Sequence, residues 1–270
     1  MKRTNLLTLL FLALFGFTFF ACGGGETAND ETTDAEEPLT EEPTNTYTLT
    51  PFSESTPYPD ATITSMTYEG NKFSFGVEGD NYELGAQTPD APQKMCANSD
   101  DGQHIHLIID NGPYAAKYKA EFDHEVADGE HYLLAFLSRS YHESIKTDQA
   151  HTAKKITVAG GAISAEEDIT DPMLFYSRPK GSYVGKANTD KVMLDFYLKN
   201  VALGADYKVK VEINDEWETT VDTWQPYYIE GLPMGDNKVK LTLTDAEGNA
   251  VDTPMNPVER LFKLAADPAE

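Results

Sequence analysis

The chain has 270 residues, with 45 acidic against 21 basic side chains and a formal net charge of −24. That balance makes nucleic acid and anionic lipid surfaces poor direct partners, because a field of this sign repels polyanions. Its cysteines are Cys22 and Cys96 alone.

Lys2 and Arg3 precede an apolar run from Leu6 to Ala21, which ends at Cys22. A charged start, an apolar middle and a small residue before the cut describe a secretory signal over residues 1–21. The run is about 16 residues long, short of the roughly 20 that a membrane-spanning helix needs. Cys22 directly after Ala21 resembles the bacterial lipobox, with Phe19 and Phe20 in place of its usual Leu and small residue. The expected mature chain begins at an acylated Cys22, and its only membrane contact is that lipid anchor. The expected location is the bacterial cell envelope, as an outer-membrane lipoprotein on the periplasmic side or the cell surface. Loss of Lys2 and Arg3 leaves 19 bases against 45 acids, near −26. With Cys22 acylated, Cys96 has no partner for an intrachain disulfide.

Residues 22–55 begin Gly23-Gly-Gly and run through Glu26, Asp30, Glu31, Asp34, Glu36, Glu37, Glu41 and Glu42 without a base. Low hydrophobicity with one charge sign predicts a disordered, extended acidic tether. From Thr56 onward short alternating apolar runs are broken by Gly, Asp, Asn and Pro, and no window has helical period. The chain is therefore expected to be all-β.

An internal repeat runs through this region. Phe73-Ser-Phe75-Gly-Val77 matches Leu194-Asp-Phe196-Tyr-Leu198, Ile105 to Asn111 matches Val209 to Asp215, and Gly129 to Ala135 matches Gly235 to Leu241. Each copy has about 100 residues of short strands with regular turn signals, the size and pattern of an immunoglobulin-like sandwich. Two tandem immunoglobulin-like β-sandwich domains are expected, at residues 56–165 and 166–270. Pro254, Pro257 and Val258 to Leu264 predict a closing edge strand. Trp224 to Ile229 predicts a strand with one buried face.

His104-Ile-His106-Leu-Ile-Ile-Asp-Asn111, Gly129 to Lys146 and Leu174 to Gly185 resemble a family of uncharacterised cell-envelope lipoproteins from Bacteroidota-type bacteria. The resemblance implies tandem immunoglobulin-like domains and an envelope location. Some members carry a phosphopeptide-binding label, which implies no reaction.

Differences between the copies point to a site. Domain 1 carries an insert, residues 86–103, that domain 2 lacks; it holds Met95 and Cys96 and leads into His104 and His106. Domain 1 also has Ser138-Arg-Ser-Tyr-His142-Glu-Ser where domain 2 has a tight turn. In such a sandwich these two loops lie at one end, so the insert and the His142 loop are expected to meet. Alternation places Ile105, Leu107 and Ile109 in the core, and therefore His104 and His106 on the outer face.

His104, His106, Arg139 and His142 form the candidate ligand pole. The three histidines suit a Cu or Zn ion, the one cofactor considered; the alternative for them is hydrogen bonding to a covering loop. Arg139 with Ser138, Ser140 and His142 offers an anion fork, or an ion pair with a nearby acid. Serine, histidine and acid crowded into one loop do not make a triad, so no enzymatic activity is expected. On the adjacent strand the outer positions are Tyr132, Leu134 and Phe136, an apolar face that the insert, domain 2 or a ligand must cover. The leading expectation is a non-catalytic binding module presenting this face to a protein, peptide or glycan. The alternative is a Cu- or Zn-binding lipoprotein.

Overall fold

A computed structural model describes residues 46–267; the signal, Cys22 and the tether up to residue 45 lie outside the described residues. Strands form where β-branched and aromatic residues alternate with polar ones between Gly, Asn and Asp turns. In chain order they are β1 (Thr48–Pro51), β2 (Thr62–Glu69), β3 (Lys72–Glu78), β4 (His104–Ile109), β5 (Ala115–Lys117), β6 (Glu121–Asp123), β7 (Gly129–Ser138), β8 (His151–Ala159) and β9 (Ala162–Asp168). There follow β10 (Met173–Arg178), β11 (Gly181–Val184), β12 (Val192–Lys199), β13 (Tyr207–Ile213), β14 (Trp217–Val221), β15 (Tyr227–Glu230), β16 (Gly235–Asp245) and β17 (Val258–Ala265). Among the described residues helix is confined to short turns, such as Lys186–Thr189.

The strands build two sandwiches. Domain 1 pairs the sheet β2-β3-β6 with β5-β4-β7-β8-β9, and domain 2 pairs β1-β15-β12-β10 with β11-β17-β16-β13-β14. Phe73, Phe75, Ile105, Leu107, Leu133, Ala135 and Leu137 fill the first core, and Leu194, Phe196, Val209, Val211, Ile213, Val239 and Leu241 the second. The segments matched by the internal repeat thus fall on β3 and β12, β4 and β13, and β7 and β16. In both copies the strand after the repeat's first loop ends in an Asx pair with positive φ, Asp110-Asn111 (50° and 54°) and Asn214-Asp215 (54° and 59°). Short polar side chains tolerate that left-handed turn.

Three boundaries differ from expectation. The predicted tether stops short of residue 55, because β1 joins domain 2 by pairing Thr48↔Glu230 through Pro51↔Tyr227. The acid run ends at Glu42; beyond it Tyr47 buries into the second core and Phe52 packs 4.4 Å from Tyr228. Apolar side chains there supply the burial that the acidic stretch lacks. The division at 165/166 falls inside β9, which stays on domain 1 through Asp168. Lys154 neutralises Asp168 at 2.8 Å and so lets an acid triplet continue as a strand. Finally, β17 is not an edge: β11 adds alongside it in parallel, Gly181↔Phe262 to Val184↔Ala265. Pro257 lies before the strand's first residue and removes no ladder bond.

The sandwiches do not sit as beads on a string. Residues 46–267 lie within one compact unit. The outer face of β4 and β7, with Ile108, Leu134 and Phe136, packs on Met173, Phe175 and Tyr197 of β10 and β12. Phe136 and Tyr197 stack at 5.3 Å with 17° between planes. Asn111 from domain 1 donates through Nδ2 to the Leu174 carbonyl (2.8 Å) and accepts from the Tyr176 amide (2.7 Å), standing in for a strand partner. A fully buried carboxylate closes the seam: Asp195 accepts from the Ser144 amide at 3.0 Å and from Lys146 Nζ at 2.6 Å.

Leu134 and Phe136 are 0% exposed and Tyr132 is half-buried against the same cluster. The candidate interaction face is therefore the domain interface, with domain 2 as its cover, and is not presented to a partner. Replacing Asp195 by Ala leaves Lys146 and the Ser144 amide without their partner. A loss of about 3–5 kcal/mol is expected, read as a drop in the denaturant midpoint; an unchanged midpoint would show that the seam does not depend on this pair.

Candidate metal centre

β4 carries His104 and His106 on the face opposite Ile105 and Leu107, as alternation requires. Across from them on β7 stand Ser138 and Phe136. Ser138 bridges to Ser144, and the intervening loop turns tightly, with the His142 amide donating to the Arg139 carbonyl at 2.8 Å. His142 takes φ 68°, a conformation that non-glycine residues adopt where the surroundings over-determine it. The result is that its ring reaches His104.

The insert meets this loop as expected. The Ser99 amide donates to the Ser140 carbonyl at 2.9 Å, and the Ser140 amide to Thr88 Oγ1 at 2.9 Å. Gly102, one residue before the end of the insert, has φ 87°, and a Cβ there would lie 2.3 Å from the Gly85 carbonyl oxygen. Only glycine fits this approach, and it delivers the Gly102 carbonyl to His104 Nδ1 at 2.7 Å. A carbonyl only accepts, so Nδ1 carries the proton and Nε2 of His104 presents its lone pair inward.

The three rings converge. His104 Nε2 is 2.9 Å from His106 Nε2 and 2.9 Å from His142 Nδ1, and all three nitrogens lie within 4.8 Å of one another. His106 Nδ1 lies 3.3 Å from Ser177 Oγ of domain 2. Tyr114 stacks on the His106 ring at 3.7 Å and 6°, and its hydroxyl lies 3.3 Å from His142 Nδ1. His104 and His106 are 0% exposed, while His142 is half-buried at the rim.

Burial dominates the electrostatics. It pushes the His104 pKa down to about 4, and those of His106 and His142 well below the ordinary imidazole value. Arg178 and Lys180 of domain 2 push in the same direction. Three neutral imidazoles result at neutral pH, the protonation state a metal ligand requires.

The fourth residue of the expected pole is elsewhere. Arg139 is buried, donates from Nε and Nη2 to the Thr56 carbonyl at 2.9 and 2.7 Å, and pairs with Glu143 at 3.5 Å. Its fork is spent on the chain entering domain 1, so the anion site is corrected to a structural clamp. Cys96 is buried among Phe52, Tyr141, Met193 and Tyr228, apart from the histidines, and burial raises its thiol to about 11. Met95 is 59% exposed. Ser138 Oγ donates to the His104 carbonyl at 3.1 Å, and Glu143 accepts from Ser55, so serine, histidine and acid turn to different partners.

Sequence reasoning missed Tyr114, Ser177, Arg178 and Lys180. The available signal was β10 itself, where Met173-Leu-Phe-Tyr176 is apolar on both faces. Such a strand is buried on both faces and lends its end to whatever covers it.

No protein-family model matches the chain, and no curated protein sequence does. Among solved structures it is similar to the fibronectin(III)-like modules of CbhA from Clostridium thermocellum, with 11% identity over 83% of this chain and 97% of that one and a TM-score of 0.28. SGBP-B of the Bacteroides ovatus mixed-linkage glucan utilization locus, solved with a mixed-linkage heptasaccharide, shares 11% identity over 82% of this chain and 70% of that one, with a TM-score of 0.18. An ice-binding adhesin of an Antarctic bacterium shares 13% identity over 80% and 51%, with a TM-score of 0.23. At these values the matches carry no argument about function. The protein is of the tandem immunoglobulin-like β-sandwich class, with a three-histidine cluster where its two domains meet.

Proposed function

We propose that the chain is a lipid-anchored protein of a bacterial outer membrane, attached through Cys22, that binds one Cu or Zn ion at His104, His106 and His142 and catalyses no reaction. The observation that carries this reading is the convergence of three neutral imidazole nitrogens with two of the rings oriented from behind. Metal-bound histidines commonly donate their other ring N–H to a carbonyl or similar acceptor. His104 does so to Gly102, and His106 Nδ1 faces Ser177. Ligand nitrogens about 2.0–2.1 Å from an ion stand roughly 3.3 Å apart in a tetrahedral arrangement. The two gaps of 2.9 Å from His104 ask for an opening of a few tenths of an ångström, and the third pair, His106 and His142, within 4.8 Å, must close to the same spacing.

The competing reading needed the Tyr132, Leu134 and Phe136 face to be free, and domain 2 occupies it.

The test is metal content and melting of the full chain beside His104→Ala and His142→Ala. At a free metal concentration 100 times Kd, binding to the folded state adds about 2.7 kcal/mol. For a unit of this size that corresponds to a rise of roughly 5–10 °C in Tm. One ion per chain and a shift lost in both variants is the expected result. No bound ion and no shift would return the histidines to a hydrogen-bonding role.

A further inference from the structure

The charges around the cluster discriminate between ions. The group contains no carboxylate. Arg178 is 3% exposed, and its three hydrogen bonds all go to neutral oxygens: the carbonyls of Ala97 and Tyr141, and the hydroxyl of Tyr183. Its positive charge is therefore not cancelled by a hydrogen-bonded acid. Lys180 Nζ sits 4.0 Å from the centroid of Tyr114. The other face of that ring is taken by His106, parallel at 3.7 Å. Lysine, tyrosine and histidine thus form a stack with the ammonium at one end and the metal-facing imidazole at the other.

Resting on the metal reading above, we infer that the ion this site selects is monovalent copper, Cu(I), rather than Zn(II) or another divalent ion. Three neutral ligands cancel none of the ion's charge, and two fixed cations oppose it. Coulomb repulsion scales with the charge of the ion, so a divalent ion suffers twice the unfavourable free energy of a monovalent one. Coordination number points the same way. Structural Zn takes four ligands, whereas this site offers three nitrogens and, next to them, a phenol. A Zn(II) ion here would need a further ligand, water or the Tyr114 hydroxyl, in its fourth position. Three-coordinate Cu(I) needs none, and imidazole suits copper as well as zinc.

The experiment measures Cu(I) affinity of the full chain anaerobically against a competing Cu(I) chelator, and Zn(II) affinity separately against a Zn chelator. Both are repeated in Lys180→Met and Lys180→Glu. At a distance on the order of 8 Å and an effective dielectric near 20, removing one positive charge tightens a monovalent ion about thirtyfold and a divalent ion about a thousandfold. The expected result is one Cu(I) per chain, held more tightly than Zn(II), with Zn(II) gaining the larger factor in Lys180→Met and more again in Lys180→Glu. Lys180→Gln repeats the neutralisation if Met disturbs the stack on Tyr114. Equal factors for the two ions, or wild-type Zn(II) binding as tight as Cu(I), would overturn the selectivity and leave the metal site standing. Binding of neither ion would remove both.

Discussion

Lowering the pH of the metal-free protein from 7 to 4 is expected to remove several kcal/mol of stability, most of it through the histidine cluster. The folded-state pKa of His104 is pushed by burial to about 4, against an ordinary value of 6.5. Below pH 6.5 the unfolded chain binds a proton that the folded chain refuses, so stability is complete above that value and falls as the pH drops toward 4. His104 alone accounts for about 3 kcal/mol over this window. Burial of His106 and His142 acts in the same direction. Two groups oppose them. Glu143, raised by burial, protonates earlier in the folded state. Burial lowers His131, but its hydrogen bonds to Asp110 and the Ala127 carbonyl outweigh that and raise it. Denaturant midpoints at pH 7, 5.5 and 4 read the net effect. His104→Asn should flatten the slope, and a midpoint constant across the window would contradict a neutral, buried cluster.

The second large effect belongs to the aromatic seam. Phe136→Ala and Tyr197→Ala each remove a ring buried to within 1% from a stacked pair. Each is expected to lose about 3–5 kcal/mol. The rings touch, so the double variant should fall short of the sum by about 0.5–3 kcal/mol. Strict additivity would mean that the two domains are not held through this contact. A weakened seam should also weaken metal binding, because Ser177 reaches His106 across it.

Much of this architecture was legible in the residues. Period-two alternation identified β4, β7, β13 and β16, and the repeat between them identified two sandwiches, because inward positions recur wherever a fold recurs. The meeting of the insert with the His142 loop followed from sandwich topology alone. The covering of Tyr132, Leu134 and Phe136 was legible only as a need, since an apolar outer face says that something packs on it without saying what. The answer lay in β10 and β12, whose Met173, Phe175 and Tyr197 are apolar at outward positions. Arg139 was misread because an arginine beside serines has the same sequence whether its fork meets an anion or a backbone carbonyl. The acidity of the tether masked Tyr47, Leu49 and Phe52, three apolar residues at its end.

β1 sets an order of assembly. Made before any other strand, it pairs with β15, whose Tyr227 to Glu230 follow nearly all of both sandwiches in the chain. Closing so long a loop is entropically unfavourable until the intervening chain has condensed. The earliest strand is thus among the last to dock, and the bare edge of β15 stays open meanwhile. The same threading means that domain 2 has no continuous stretch of sequence of its own. A cut anywhere between the sandwiches separates β15 from the strand that covers it, so a fragment carrying domain 2 intact must also carry domain 1.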